Sequence, residues 1–112
     1  VQKVAVLRAL GKWDEAIEYG RKLFDEVEGK VDRVRVRFAL AGAYWGAKKP
    51  AEAEAELRAI LEVDPDHAGA CNELGFHLAD AGRDLEEAER LIRRAIAADR
   101  LDRRKGGDAE PE

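Results

Sequence analysis

The stretch Ala68–Ile96, AGACNELGFHLADAGRDLEEAERLIRRAI, decides the fold. Cys71, Leu74, Gly75 and Leu78 stand at i, i+3, i+4 and i+7, the spacing of a helix with one apolar stripe. Ala88, Leu91, Ile92, Ala95 and Ile96 form a second stripe of the same kind. Between them Ala81-Gly82 stops the first helix, and Asp84 with Glu87 three residues later supplies the start signal of the next. The reading is a helical hairpin.

Working outward, the hairpin recurs. Leu40, Ala41 and Tyr44 lie 34 residues before Leu74, Gly75 and Leu78, while Ala53, Leu57 and Ile60 lie 35 before Ala88, Ile92 and Ala95. The extra residue falls in the turn Gly82 to Glu87. A further unit back, Trp13-Asp14-Glu15-Ala16 precedes an apolar face of Tyr19, Gly20, Leu23 and Phe24, with an offset of 37 from Ala16 to Ala53 because the linker Glu28 to Asp32 is longer. A helix-turn-helix unit with a period near 34 residues means stacked hairpins.

In order, Val1 to Leu10 reads as a short first helix with Val4, Leu7 and Leu10 facing its partner, and the next helix runs from Trp13 to about Val27. Gly29 suits the left-handed residue after a helix end, and Asp32 suits an N-cap. The helix from Arg33 to Ala47 carries two stripes, Leu40-Ala41-Tyr44 and Val34-Phe38-Ala41-Trp45. Pro50 opens the following helix, which turns Ala53, Leu57, Ile60 and Leu61 inward and leaves Glu52, Glu54, Glu56 and Glu62 to solvent. Asp64-Pro65 ends it, and Asp66 is the expected cap of the next. The last helix is expected to reach about Arg103, and residues 105–112 read as a disordered tail.

The recurring positions resemble the tetratricopeptide repeat family. Small residues stand where the helices of a hairpin touch, Ala41 and Gly75 in the first helices and Ala16, Ala53 and Ala88 in the second. Tyr44 and Leu78 match the bulky residue that follows, and Pro65 matches the closing proline. Arg37 and Cys71 depart from the pattern, standing where the family has a large apolar residue, and Arg100 replaces the last closing proline. The resemblance implies an all-α fold, a right-handed α-solenoid of stacked antiparallel helical hairpins with about three repeats. The repeat domain spans 1–104, with hairpins at about 1–28, 32–64 and 66–103.

What the resemblance implies for function is a concave groove lined by first helices, in which a segment of a partner protein docks. The family's groove positions map onto Arg35, Phe38, Gly42 and Trp45, and onto Asn72, Phe76, Ala79 and Asp80. Phe38, Trp45 and Phe76 would anchor the partner, with Arg35, Asn72 and Asp80 giving direction. The competing reading of each aromatic is a core residue at helical spacing. Members that clamp acidic chaperone tails use cations at positions that are Val1, Ala5, Ala39, Asn72 and Phe76 here, so that ligand is not expected and a more apolar or mixed-polarity peptide fits better.

Composition limits the other classes. The 112 residues are 46% hydrophobic and 39% charged with a net charge of −4, which disfavours a nucleic-acid partner. One cysteine makes no disulfide framework, and no apolar run is long enough to span a bilayer. His67 and Cys71, with Asp64 or His77, sketch a metal site only in outline, since Cys71 lies on the buried stripe; no metal or cofactor is expected. The glutamates from Glu52 to Glu56 read as a solvated face rather than an acid/base pair, and no catalytic residue is nominated. The alternative is self-association, a homodimer that buries Val4, Leu7, Leu91 or Ile96 at the repeat ends. Beginning at Val1 inside an amphipathic pattern and lacking methionine, the sequence reads as a fragment. Targeting signals outside it would not be seen, so the compartment stays open, with the cytoplasm favoured.

Overall fold

The structure is a computed structural model that describes the backbone of residues 1–105 and the side chains through Leu101. It contains six helices among the described residues: α1 (Gln2–Ala9), α2 (Trp13–Glu26), α3 (Lys30–Gly46), α4 (Pro50–Val63), α5 (Ala68–Ala81) and α6 (Leu85–Lys105). No strand occurs among them. The contacts group into two units, Val1–Ile60 and Leu61–Glu112. The expected disordered tail falls, past Lys105, outside the described residues.

Three turns of one design join the helices of each hairpin. After α1, Gly11 adopts φ +75°, its N–H bonds the Arg8 carbonyl and the Lys12 N–H reaches back to Leu7. After α5, Gly82 at φ +71° bonds Ala79 and Arg83 bonds Leu78. After α3 the same two bonds run from Lys48 to Trp45 and from Lys49 to Tyr44, but the left-handed residue is Lys48, at φ +64°. These paired bonds satisfy carbonyls that a helix end otherwise leaves open, and the left-handed residue they require is most easily a glycine. The extra residue expected in the last turn is visible: α2 and α4 start two positions after their left-handed residue, whereas α6 starts three after Gly82, with Asp84 itself at φ +50° before Leu85.

In the first unit Val4, Ala16, Ile17, Val36, Leu40, Ala43, Tyr44 and Ala53 form one core cluster, flanked by Leu7, Tyr19, Leu23 and Phe24. Helices α2 and α3 approach closely at Gly20, where a β-carbon would stand 2.8 Å from Leu40 Cδ2. The Trp13 ring lies against Gly46 in the same way. Arg37, the departure from the apolar pattern, stacks its guanidinium 4.6 Å from the Phe24 ring centroid and pairs with Glu56 at 2.9 Å; Arg33 sits on the same ring at 4.7 Å. An arginine stem and plane thus cover the ring that an apolar side chain would otherwise cover.

The second unit holds the α5–α6 hairpin. Ala70, Cys71, Leu74 and Leu78 are buried on α5, and Ala88, Leu91 and Ala95 on α6. A β-carbon on Gly75 would lie 2.7 Å from Ile92 Cγ1 and 3.1 Å from the Ala88 carbonyl oxygen. The approach at Gly75 is therefore set by the inner part of the Ile92 side chain and, behind it, by the Ala88 backbone carbonyl, which a change of rotamer does not move.

Several local expectations are corrected. Gly29 is not left-handed: at φ −74°, ψ 144° it is the extended N-cap of α3, which starts earlier than expected and leaves Asp32 inside its first turn, where a carboxylate favours the helix dipole. His67, not Asp66, caps α5, its Nδ1 accepting the Ala70 N–H at 3.0 Å. Leu10 is 64% exposed because α1 ends at Ala9 and Leu10 has entered the turn. Glu54 and Glu56 are half-buried rather than solvated, drawn in by Arg58 and Arg37. On α3 the stripe through Val34, Phe38 and Trp45 is only partly covered, and Val36 and Ala43 are buried instead, facing the α1–α2 side of the cluster.

The turns and the close approach make three substitutions informative about stability. Lys48→Gly should raise unfolding free energy by about 0.5–1 kcal/mol, the left-handed strain removed less the added freedom of the unfolded chain, while Gly82→Ala should lower it by about 1 kcal/mol; urea titrations read both. Gly75→Leu should cost about 1–3 kcal/mol and depress the melting temperature, since the Ala88 carbonyl stands in its way.

Candidate functional site

Helix α3 places Arg35, Phe38, Gly42 and Trp45 at i, i+3, i+7 and i+10, one face of a helix whose opposite side is core. Arg35 is exposed, Phe38 half-buried and Trp45 41% exposed. Gly42 is not open groove floor: the Arg8 guanidinium of α1 lies over it, so close that a β-carbon would stand 2.6 Å from Cζ and from one terminal nitrogen. Arg8 is half-buried, and its Nε is sealed from solvent with no hydrogen-bond partner.

In the second unit α5 carries Asn72, Phe76, Ala79 and Asp80, all exposed, Phe76 at 63%. Asn72 also lines a shallow cleft of about 480 Å³ between the start of α5 and the end of α6, together with Ala95, Ile96 and Arg100. The structure thus sets four expected residues in a row on α3 and four on one face of α5, each row within its own unit.

Arg8 was missed by sequence reasoning although a signal was present. Subtracting the 37-residue offset of the first repeat from Trp45 gives position 8, so Arg8 occupies in the first repeat the place of Trp45 in the second. Nothing in the local pattern of α1 marks it, because its role depends on the missing side chain of Gly42 across the helix pair.

The residues nominated for metal or thiol chemistry are otherwise engaged. The His67 Nδ1 caps α5, and the Cys71 thiol, fully buried, donates to the Pro65 carbonyl at 3.4 Å. Burial pushes the Cys71 thiol above its ordinary value of 9.0; Arg94 opposes this, and Asp66 and Asp64 add to it. Among the described residues no three His, Cys, Asp or Glu side chains are grouped to hold a metal ion. No described helix is long and apolar enough to cross a membrane.

The register, the small contact residues and the hairpin turns meet in one comparison: a family model described as Tetratricopeptide repeat matches residues 7–74, more than half of the chain. The chain belongs to the tetratricopeptide repeat family. A comparison with curated proteins finds no match. Tetratricopeptide repeats are helical repeats that generally serve as protein–protein interaction modules and typically as scaffolds without catalysis. In this repeat protein the two residues that stand in place of large apolar ones have physical partners: Arg37 has Phe24 and Glu56, and Cys71 has the Pro65 carbonyl.

The buried thiol gives a pH prediction. A group whose proton is held more tightly in the folded state stabilises the fold below the unfolded value and withdraws that contribution as pH rises past it. Stability should therefore fall as pH climbs above 9.0, and Cys71→Ala should flatten that fall in denaturant titrations run across the alkaline range.

Proposed function

We propose that this chain is a non-enzymatic binding module that captures a segment of a partner protein on the first helices of its repeats. On α3 the contact residues are Arg35, Phe38, Gly42 and Trp45, and on α5 they are Asn72, Phe76 and Asp80. The observation that carries the reading is the exposure of two large rings, Trp45 and Phe76, at groove positions on helices whose other faces are packed. Exposed aromatics lose little rotamer entropy on binding and supply much of the energy of an interface. The flanking Arg35, Asn72 and Asp80 suit a segment of mixed polarity. The acidic balance favours a protein partner over nucleic acid.

Self-association is the second reading, with altered contact residues. Val4 is wholly buried and Leu91 nearly so, which removes both from a dimer surface, and Leu7 is largely packed in the first unit's core. Ile96 at 49% and Leu101 at 54% exposure on α6, with Val6 at 56% on α1, are the apolar groups such a contact would use.

The Trp45→Ala, Phe76→Ala double variant separates the two readings. Partner capture in a pull-down should weaken by tenfold or more while sedimentation velocity, run across a concentration range, stays that of the parent. Concentration-dependent dimers that survive the double substitution would favour self-association instead.

A further inference from the structure

Arg8 stands out from the other cations of the chain. Its guanidinium is laid across the bare backbone of Gly42, its Nε is sealed away from solvent without an acceptor, and no carboxylate among the described residues pairs with it. By contrast Arg37, Arg58 and Arg93 each hold a glutamate at 2.8–2.9 Å. A guanidinium N–H sealed from water without an acceptor is unfavourable, and here it accompanies a head group that stays half in solvent with its charge unpaired.

The seat itself is specific. A β-carbon at position 42 would overlap the guanidinium, so glycine is what lets the cation lie flat on α3. Arg35 adds an exposed positive charge on the same face, and Trp45, three residues beyond Gly42, adds an exposed ring. Within an acidic protein of net charge −4, this face of the first unit joins two cations to an aromatic.

We propose that the Arg8 guanidinium receives the carboxylate of an aspartate or glutamate side chain in the captured segment, with an apolar residue beside it on Trp45. The inference rests on the peptide-capture reading above and adds the chemistry of the segment. Through its two terminal nitrogens, with Nε sealed on the inner side, the planar guanidinium can give a carboxylate two charge-assisted hydrogen bonds, which supplies both the missing counter-charge and a fixed orientation. The acid proposed is an internal side chain, and the amidated peptide below distinguishes it from a chain terminus.

The test uses the whole chain as bait for a phage-displayed library of random dodecapeptides. Peptides recovered on the parent should be enriched in Asp or Glu next to an aromatic or aliphatic residue, and the enrichment should vanish on Arg8→Gln and on Gly42→Ala. A recovered peptide, made synthetically with an amidated C-terminus, should bind at least roughly tenfold more tightly than its acid-to-amide version, and this ratio should collapse towards one on Arg8→Gln. Arg8→Gln should keep the parent's melting temperature, because the free chain gives its Nε no partner to lose.

Peptides without acidic enrichment, a ratio unchanged by Arg8→Gln, or binding that disappears on C-terminal amidation would each overturn the proposal while leaving peptide capture in place. Recovery of no peptide on the parent would overturn both. Should an Arg8 variant fail to fold, the acid-to-amide peptide pair measured on the parent still decides whether the segment needs its carboxylate.

Discussion

The fold depends on how closely paired helices come together. At Gly75 the separation is set by the Ala88 carbonyl and Ile92, and at Gly20 by Leu40, distances that leave no room for a methyl group. Ala16, Ala53 and Ala88 are buried to 2% exposure or less at the equivalent place in each hairpin. With backbones this near, larger residues on either side, such as Leu57, Leu74 and Leu78, interlock at full burial. Close packing of this kind fixes the helix pair more tightly than apolar content alone.

The turns extend the same constraint. Each hairpin reverses within a two-bond motif, so the second helix starts at a nearly constant distance from the end of the first. The small residues then meet in register without adjustment elsewhere. Where the turn grows by one residue, after Gly82, a second left-handed residue at Asp84 takes up the difference and α6 still delivers Ala88 to Gly75.

Features that repeat were legible in the sequence, and those that arise once were not. The apolar stripes, the Gly82 stop and the Pro50 start follow from local rules applied at fixed spacing. The Gly29 and His67 caps were misread because several neighbouring residues are competent to cap, and tertiary packing chose the starting point of the helix. The half-buried Glu54 and Glu56 were misread because each is pulled in by an arginine whose partner periodicity does not reveal. At the candidate site Trp45 and Phe76 are exposed and so are not the core residues that helical spacing alone also allowed, whereas the covering of Gly42 is a relation between two helices that neither pattern contains.

Helix α1 has a consequence of its own. It is eight residues long and only Val4 on it is buried, which makes it the segment with the least to lose by coming undone. Short, lightly buried elements open at a lower cost than the whole fold and do so often. The cover over Gly42 depends on α1 staying folded, because Arg8 belongs to it. Were α1 to open, the α3 face would keep the exposed Arg35 but lose the guanidinium seated on Gly42, so a ligand that used both cations would also hold α1 in place.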